Sequence, residues 1–143
     1  MRTVLFKRLP AVLLCLSLLF GLSACKKRSG SDELWKAAVY TENTELGQGT
    51  KVLHLEVKAG DRSVQFTVHT DADTVGAALL ENDLISGEVG DYGLYVKKVN
   101  GITADYDTDQ SYWAFNINGE YAMTGVDGTV LSEEDSYQLV YSK

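Results

Sequence analysis

Few residues in this 143-residue chain have the types and spacing for chemistry. They are His54 and His69, the alternate aspartates Asp105, Asp107 and Asp109, and a set of tyrosines around Asn118-Gly119. A protein metal site needs three or four converging ligands. The two histidines have no third ligand at a recognisable spacing, so they are expected to face solvent. The aspartate run invites a calcium reading, but an EF-hand loop requires Gly at its sixth position and Glu at its twelfth. Those positions hold Gln110 and Asn116, and a solvated acidic turn is expected instead. No Ser-His-Asp or Cys-His set and no glycine-rich phosphate loop is present, and both histidines belong to one hairpin. The sequence therefore predicts neither an enzyme nor a metal centre.

The tyrosines are more informative. In Tyr112 to Met123, YWAFNINGEYAM, the Asn118-Gly119 pair separates two alternating runs. Asn followed by Gly supplies the two positive φ angles of a type I′ turn at low steric cost. A two-residue loop sets Ile117 opposite Glu120, Asn116 opposite Tyr121, Phe115 opposite Ala122 and Ala114 opposite Met123. One face then carries Trp113, Phe115, Ile117 and Ala122, and the other Tyr112, Asn116, Tyr121 and Met123. A sheet flank needs one apolar face for the core. The surplus face, Tyr112, Asn116 and Tyr121 with Tyr95 from a neighbouring strand, is the candidate ligand-binding surface, since tyrosine combines large area with a polar tip. Packing in the core and at strand edges is the competing role for each ring.

The ends define the compartment. Arg2, Lys7 and Arg8 precede an apolar run from Ala11 to Leu22, the length of a signal h-region and too short to span a bilayer. It ends in Leu22-Ser23-Ala24-Cys25, which resembles the lipobox of bacterial lipoproteins, where a small residue precedes the acylated cysteine. Residues 1–24 are accordingly expected to be a lipoprotein signal peptide and Cys25 the lipidated residue. The alternative is an ordinary signal peptide cut after Ala24, with Cys25 incidental. Cys15 leaves with the signal, so no disulfide framework remains. The protein is expected to be exported and held by lipid on the membrane, outside the cytoplasm.

From Ser29 onward 7 basic residues face 20 acidic ones, a net charge of −13. Such a domain repels nucleic acid, which is gripped through basic patches. Lys26, Lys27 and Arg28 lie beside the anchor, where anionic headgroups would attract them.

In chain order, residues 25–34 read as a lipidated tether, 35–50 as an N-terminal arm and 51–143 as one domain. Within the arm, Thr41 to Gln48 reads as a loop. Val52 to Lys58 and Ser63 to Thr70 alternate with period two around Ala59-Gly60-Asp61, a hairpin. Asp73 or Thr74 can cap a helix of about ten residues through Val75, Ala78, Leu79 and Asn82, with Leu84 and Ile85 at its end. Gly87 to Gly93 reads as a loop, Gly93 to Val99 as a strand leading to a tight Asn100-Gly101 turn, and Tyr137 to Tyr141 as the last strand. This order predicts an α+β fold of the β-grasp (ubiquitin-like) kind, one helix packed across a mixed sheet.

The stretches FTVHTDADTVGAALLENDLI, GLYVKKVNGI, YWAFNINGEYAMTGV and DSYQLVY together resemble the transcobalamin-like C-terminal domain family of bacterial surface proteins. The resemblance covers nearly all of Leu53 to Tyr141. One departure is Glu133-Glu134-Asp135, where members often carry Gly before the Asp. The resemblance implies a β-grasp domain displayed outside the cell. It implies a cobalamin-like vitamin as ligand and an energy-coupled uptake transporter as partner, a corrinoid being cargo and not a required cofactor. In transcobalamin a large helical barrel holds the other side of cobalamin, and this chain has no such barrel. An adhesion or scaffold module with a protein ligand, gripped along a sheet edge, is the alternative.

Overall fold

The computed structural model describes residues 30–143, so the signal segment, Cys25 and the three basic residues after it lie outside the described residues. The elements are α1 (Gly30–Trp35), β1 (Thr44–Gly47), β2 (Lys51–Ala59), β3 (Arg62–Thr70), α2 (Val75–Glu81), β4 (Ile85–Gly90), β5 (Gly93–Val99) and β6 (Ile102–Thr103). They continue with α3 (Tyr106–Asp109), β7 (Tyr112–Ile117), β8 (Glu120–Tyr121), a 3-10 turn (Val126–Gly128) and β9 (Ser136–Ser142). The class is mixed α+β, mostly sheet with three short helices. In place of one sheet crossed by one helix there are two sheets, a six-stranded one ordered β1-β3-β2-β9-β7-β8 and a three-stranded one ordered β4-β5-β6.

The period-two pattern builds the larger sheet. Leu53, Leu55 and Val57 of β2 and Val64, Phe66 and Val68 of β3 are buried, while the residues between them face outward or are half-buried. β9 pairs parallel with β2 and antiparallel with β7, placing Tyr137 and Leu139 in the same core. Thr74 caps α2, its hydroxyl accepting from the Ala77 amide at 3.2 Å, and Val75, Ala78 and Leu79 are fully buried. Val75 and Leu79 each contribute about 1.5–3 kcal/mol on leaving water.

Four segments differ from the sequence expectation. The tether was expected to run through residue 34, but Gly30–Trp35 is helical: Asp32 and Glu33 suit its first turn, and Trp35 is buried with Nε1 donating to Ala59 O at 2.9 Å. Thr44–Gly47, expected as loop, is a parallel edge strand on β3. α2 has seven residues and not ten. Asp83, at φ 56°, turns the chain out of the helix, and Ile85 opens β4. Gly87 to Gly90 of β4 was expected as loop and Ile85 as the end of the helix, since no alternation marks the segment and only Ile85 is buried. It pairs with β5 through an irregularity at Ser86/Gly87, where a Cβ on Gly87 would lie 1.9 Å from Tyr95 O.

Both Asn-Gly turns form as expected. Asn100 and Gly101 have φ of 50° and 82°, and Asn118 and Gly119 of 53° and 83°. Asn100 is also buried. Its Nδ2 donates to Tyr40 O at 2.8 Å and its Oδ1 accepts from Tyr40 N at 2.9 Å, which docks the N-terminal arm and sets the Tyr40 ring edge-on to Phe66.

At the turn joining β1 to β2, the Thr50 amide and hydroxyl donate to Asp71 at 2.9 and 3.0 Å. These bonds, the amide first, with the Lys51 charge adding, hold the Asp71 carboxyl below its ordinary 3.8. A lowered folded-state value stabilises the fold above the unfolded-state value, and the contribution is lost as pH falls through the folded-state one. Asp71→Asn should therefore flatten the acid limb of stability below about pH 4, measured by urea unfolding across pH, with little change in the slope near neutrality.

Candidate functional site

A groove of about 310 Å³ lies beside β7, between β5 and the segment that follows β8. Leu94, Tyr95 and Val96 form one wall, Tyr121 to Val126 the other, and Tyr112, Trp113, Phe115 and Leu139 the floor. None of these side chains carries a formal charge.

The floor is set by aromatic pairs across two strands. β7 and β9 align Trp113 with Tyr141 and Phe115 with Leu139. Trp113 meets Tyr141 edge to face at 5.6 Å, and Phe115 stacks on Tyr137 at 6.0 Å. Trp113 and Phe115 are thus mainly core, as expected. The Tyr137 hydroxyl accepts from the Ser132 amide at 3.0 Å, and burial pushes its pKa up. β8 pairs with β7 only at Asn116 and Ile117, and the Ala122 amide adds a bond to Phe115 O at 2.9 Å. Met123 then leaves the register expected for it and stands 97% exposed. Beyond that point no strand among the described residues pairs with the outer edge of Tyr112 to Ala114.

The walls depend on Asp127, which sequence reasoning missed. Its carboxylate accepts from the Leu94 amide at 3.0 Å, tying the start of β5 to the 3-10 turn. Gly76 of α2 packs on the same turn so closely that a Cβ would lie 2.8 Å from the Asp127 backbone. Thr129 bonds Gly125 O at 2.8 Å and Thr124 at 3.0 Å. The local signal, GVDGT, reads only as a turn; that Asp127 reaches residue 94 is a tertiary fact.

Three of the four expected ligand-binding residues meet at the groove. Tyr95 is 44% exposed, Tyr112 36% and Tyr121 69%. Asn116 is not among the lining residues. It sits half-buried within the sheet, opposite Tyr121 and Gln138, because the groove opens where β8 has ended. The other candidates lie elsewhere. His54 and His69 are on the outward side of β2 and β3, and His69 Nε2 is 2.5 Å from Glu45. Asp105 caps α3, accepting from the Asp107 amide at 3.1 Å and the Thr108 hydroxyl at 3.0 Å. Asp109 is held below its ordinary pKa mainly by bonds from the hydroxyl and amide of Ser111. The acidic run, expected as a solvated acidic turn, is a capped helix of one turn with Asp107 and Asp109 exposed. Among the described residues no group of three His, Cys, Asp or Glu could hold a metal ion, and no helix is long and apolar enough to cross a membrane.

The described residues thus form a two-sheet α+β domain with an aromatic groove. Residues 72–143 match the family described as a domain of unknown function, DUF4430, and the chain belongs to that family. A solved protein of Ruminococcus gnavus, provisionally described as metal-binding, is 34% identical, with a TM-score of 0.62 over 66% of this chain and 98% of that one. Haptocorrin in complex with Cbi is 19% identical, with a TM-score of 0.50 over 65% of this chain and 25% of haptocorrin, a likeness of fold alone. No curated protein matches the chain.

Trp113 Nε1 is buried with no hydrogen-bond partner among the described residues, whereas Trp35 Nε1 donates to Ala59 O. An unpaired buried donor costs about 1–3 kcal/mol. Trp113→Phe should therefore destabilise the domain less than Trp35→Phe by about that margin, measured by chemical denaturation.

Proposed function

We propose that this protein is a surface-anchored lipoprotein whose non-catalytic domain binds a small molecule in the groove beside β7, a cobalamin-like vitamin destined for uptake. The observation that carries the reading is the groove itself, where Tyr95, Tyr112 and Tyr121 stand exposed around an uncharged floor. Tyrosine rings offer large contact area at a low ordering cost. The shared fold with haptocorrin, described in complex with Cbi, supports a corrinoid, as does the sequence resemblance to transcobalamin-like domains. At about 310 Å³ the groove is at the small end of ligand pockets and would seat one edge of a macrocycle, leaving the rest to a transporter or second domain. The acylated Cys25 would keep the loaded domain at the membrane. The metal-binding description of the Ruminococcus gnavus protein is not adopted, since the described residues contain no cluster of ligands for a metal ion.

A second reading rests on the outer edge of Tyr112 to Ala114, which no strand of the sheet occupies. An extended segment of a protein partner could add there, making the domain an adhesion or scaffold module.

Titration with cobinamide and cobalamin, followed by tryptophan fluorescence, distinguishes the two. Saturable quenching with the protein still monomeric on gel filtration is expected, and Tyr121→Ala should weaken binding about three- to tenfold while leaving unfolding unchanged. No response to either corrinoid, together with co-elution with a protein partner, would replace the first reading by the second.

A further inference from the structure

The edge of β7 forms part of the groove floor, and bonds on both sides of the strand show which main-chain groups it presents. Asn118 N–H donates toward β9, to Ser136 O at 2.8 Å. From the β8 side, Ala122 N–H donates to Phe115 O at 2.9 Å. Successive residues of a strand turn their N–H and C=O to opposite neighbours. Tyr112, Ala114 and Asn116 therefore bond toward β9, and Trp113, Phe115 and Ile117 toward β8. β8 meets Ile117 through Glu120 and Phe115 O through Ala122, and the pairing ends there. The N–H of Phe115 and the N–H and C=O of Trp113 are left without a partner strand among the described residues, where β8 ends and the groove begins. Buried main-chain groups are ordinarily bonded. Trp113 is buried, and its Nε1 is a further donor without a partner among the described residues.

The chain already contains a group that satisfies such a donor and acceptor together. The side-chain carboxamide of Asn100 spans the main chain of Tyr40, Nδ2 donating to Tyr40 O at 2.8 Å and Oδ1 accepting from Tyr40 N at 2.9 Å. We infer that the open edge at Trp113 is a subsite for a primary carboxamide on a neutral ligand, bonded to the Trp113 N–H and C=O as Asn100 is bonded to Tyr40. This rests on the reading that the groove beside β7 is the binding site. A carboxamide brings an acceptor and donors at once, whereas an ester or a carboxylate has no donor for Trp113 O. An anion is opposed as well. No side chain lining the groove is cationic, and from Ser29 onward 20 acidic residues outnumber 7 basic ones. The apolar remainder of the ligand lies against Tyr95, Tyr112 and Tyr121.

The experiment titrates the isotopically labelled chain from Cys25 onward, which retains every described residue, with three probes of one shape: benzamide, methyl benzoate and benzoate. Backbone amide signals are followed by magnetic resonance. Benzamide should shift the Trp113 and Phe115 amide signals saturably and slow Trp113 amide exchange about threefold or more. Asn116, whose N–H faces β9, should change little. Methyl benzoate should bind about fivefold or more weakly, because it leaves Trp113 O unpaired, and benzoate no better than the ester. Equal binding of amide and ester would overturn the inference, as would benzamide that leaves Trp113 unshifted or fails to bind up to its solubility. The subsite and the vitamin fail separately. Quenching by cobinamide without any preference for the amide probe removes the subsite alone. Benzamide bound at Trp113 with no response to cobinamide removes the vitamin and leaves the subsite standing.

Discussion

The structure depends on the pairing of β9 with two strands from distant parts of the chain. On one side β9 runs parallel to β2, from His54 opposite Ser136 to Lys58 opposite Val140. On the other it runs antiparallel to β7 over all six of that strand's residues. Without it the larger sheet would fall into the three strands β1-β3-β2 and the short β7-β8 hairpin, and a lone hairpin is marginal in water. β9 also supplies the rings that pack under β7, Tyr137 beneath Phe115 and Tyr141 against Trp113. The floor of the groove is therefore an extension of the core and shares its rigidity.

The walls of the groove are held differently. β5 belongs to the smaller sheet, and its position relative to β7 is fixed through Asp127 and the close approach of Gly76 to the 3-10 turn. Polar bonds at an exposed loop are weaker restraints than buried rings, so the width of the groove is set by the softer of the two arrangements. The tyrosines reach it from both: Tyr112 from the firm floor, Tyr95 and Tyr121 from the walls.

Where local chemistry decides the backbone, the sequence is readable. The two Asn-Gly turns, the β2–β3 hairpin and the Thr74 cap each depend on residues within a few positions of one another. β1 and β4 were not readable for the opposite reason. β1 is four residues long and exists because β3 offers it an edge, and β4 buries a single side chain. The site was legible in part. Alternation placed Tyr112 and Tyr121 on a surplus face, and two-residue periodicity predicted Asn116 with them. Only the early end of β8 shows that the groove lies beside Tyr112 and not beside Asn116. Asp127 sits in a 3-10 turn and Ala122 to Gly125 follow the end of β8, and where these residues come to lie depends on tertiary contacts that no local pattern encodes.

The central place of β9 has a consequence for how the molecule is made. A nascent chain that has emerged only to residue 135 has every other strand, yet the middle of its larger sheet is missing. Contacts of such long sequence separation form late and slowly. The architecture delays its own completion until the last strand has arrived.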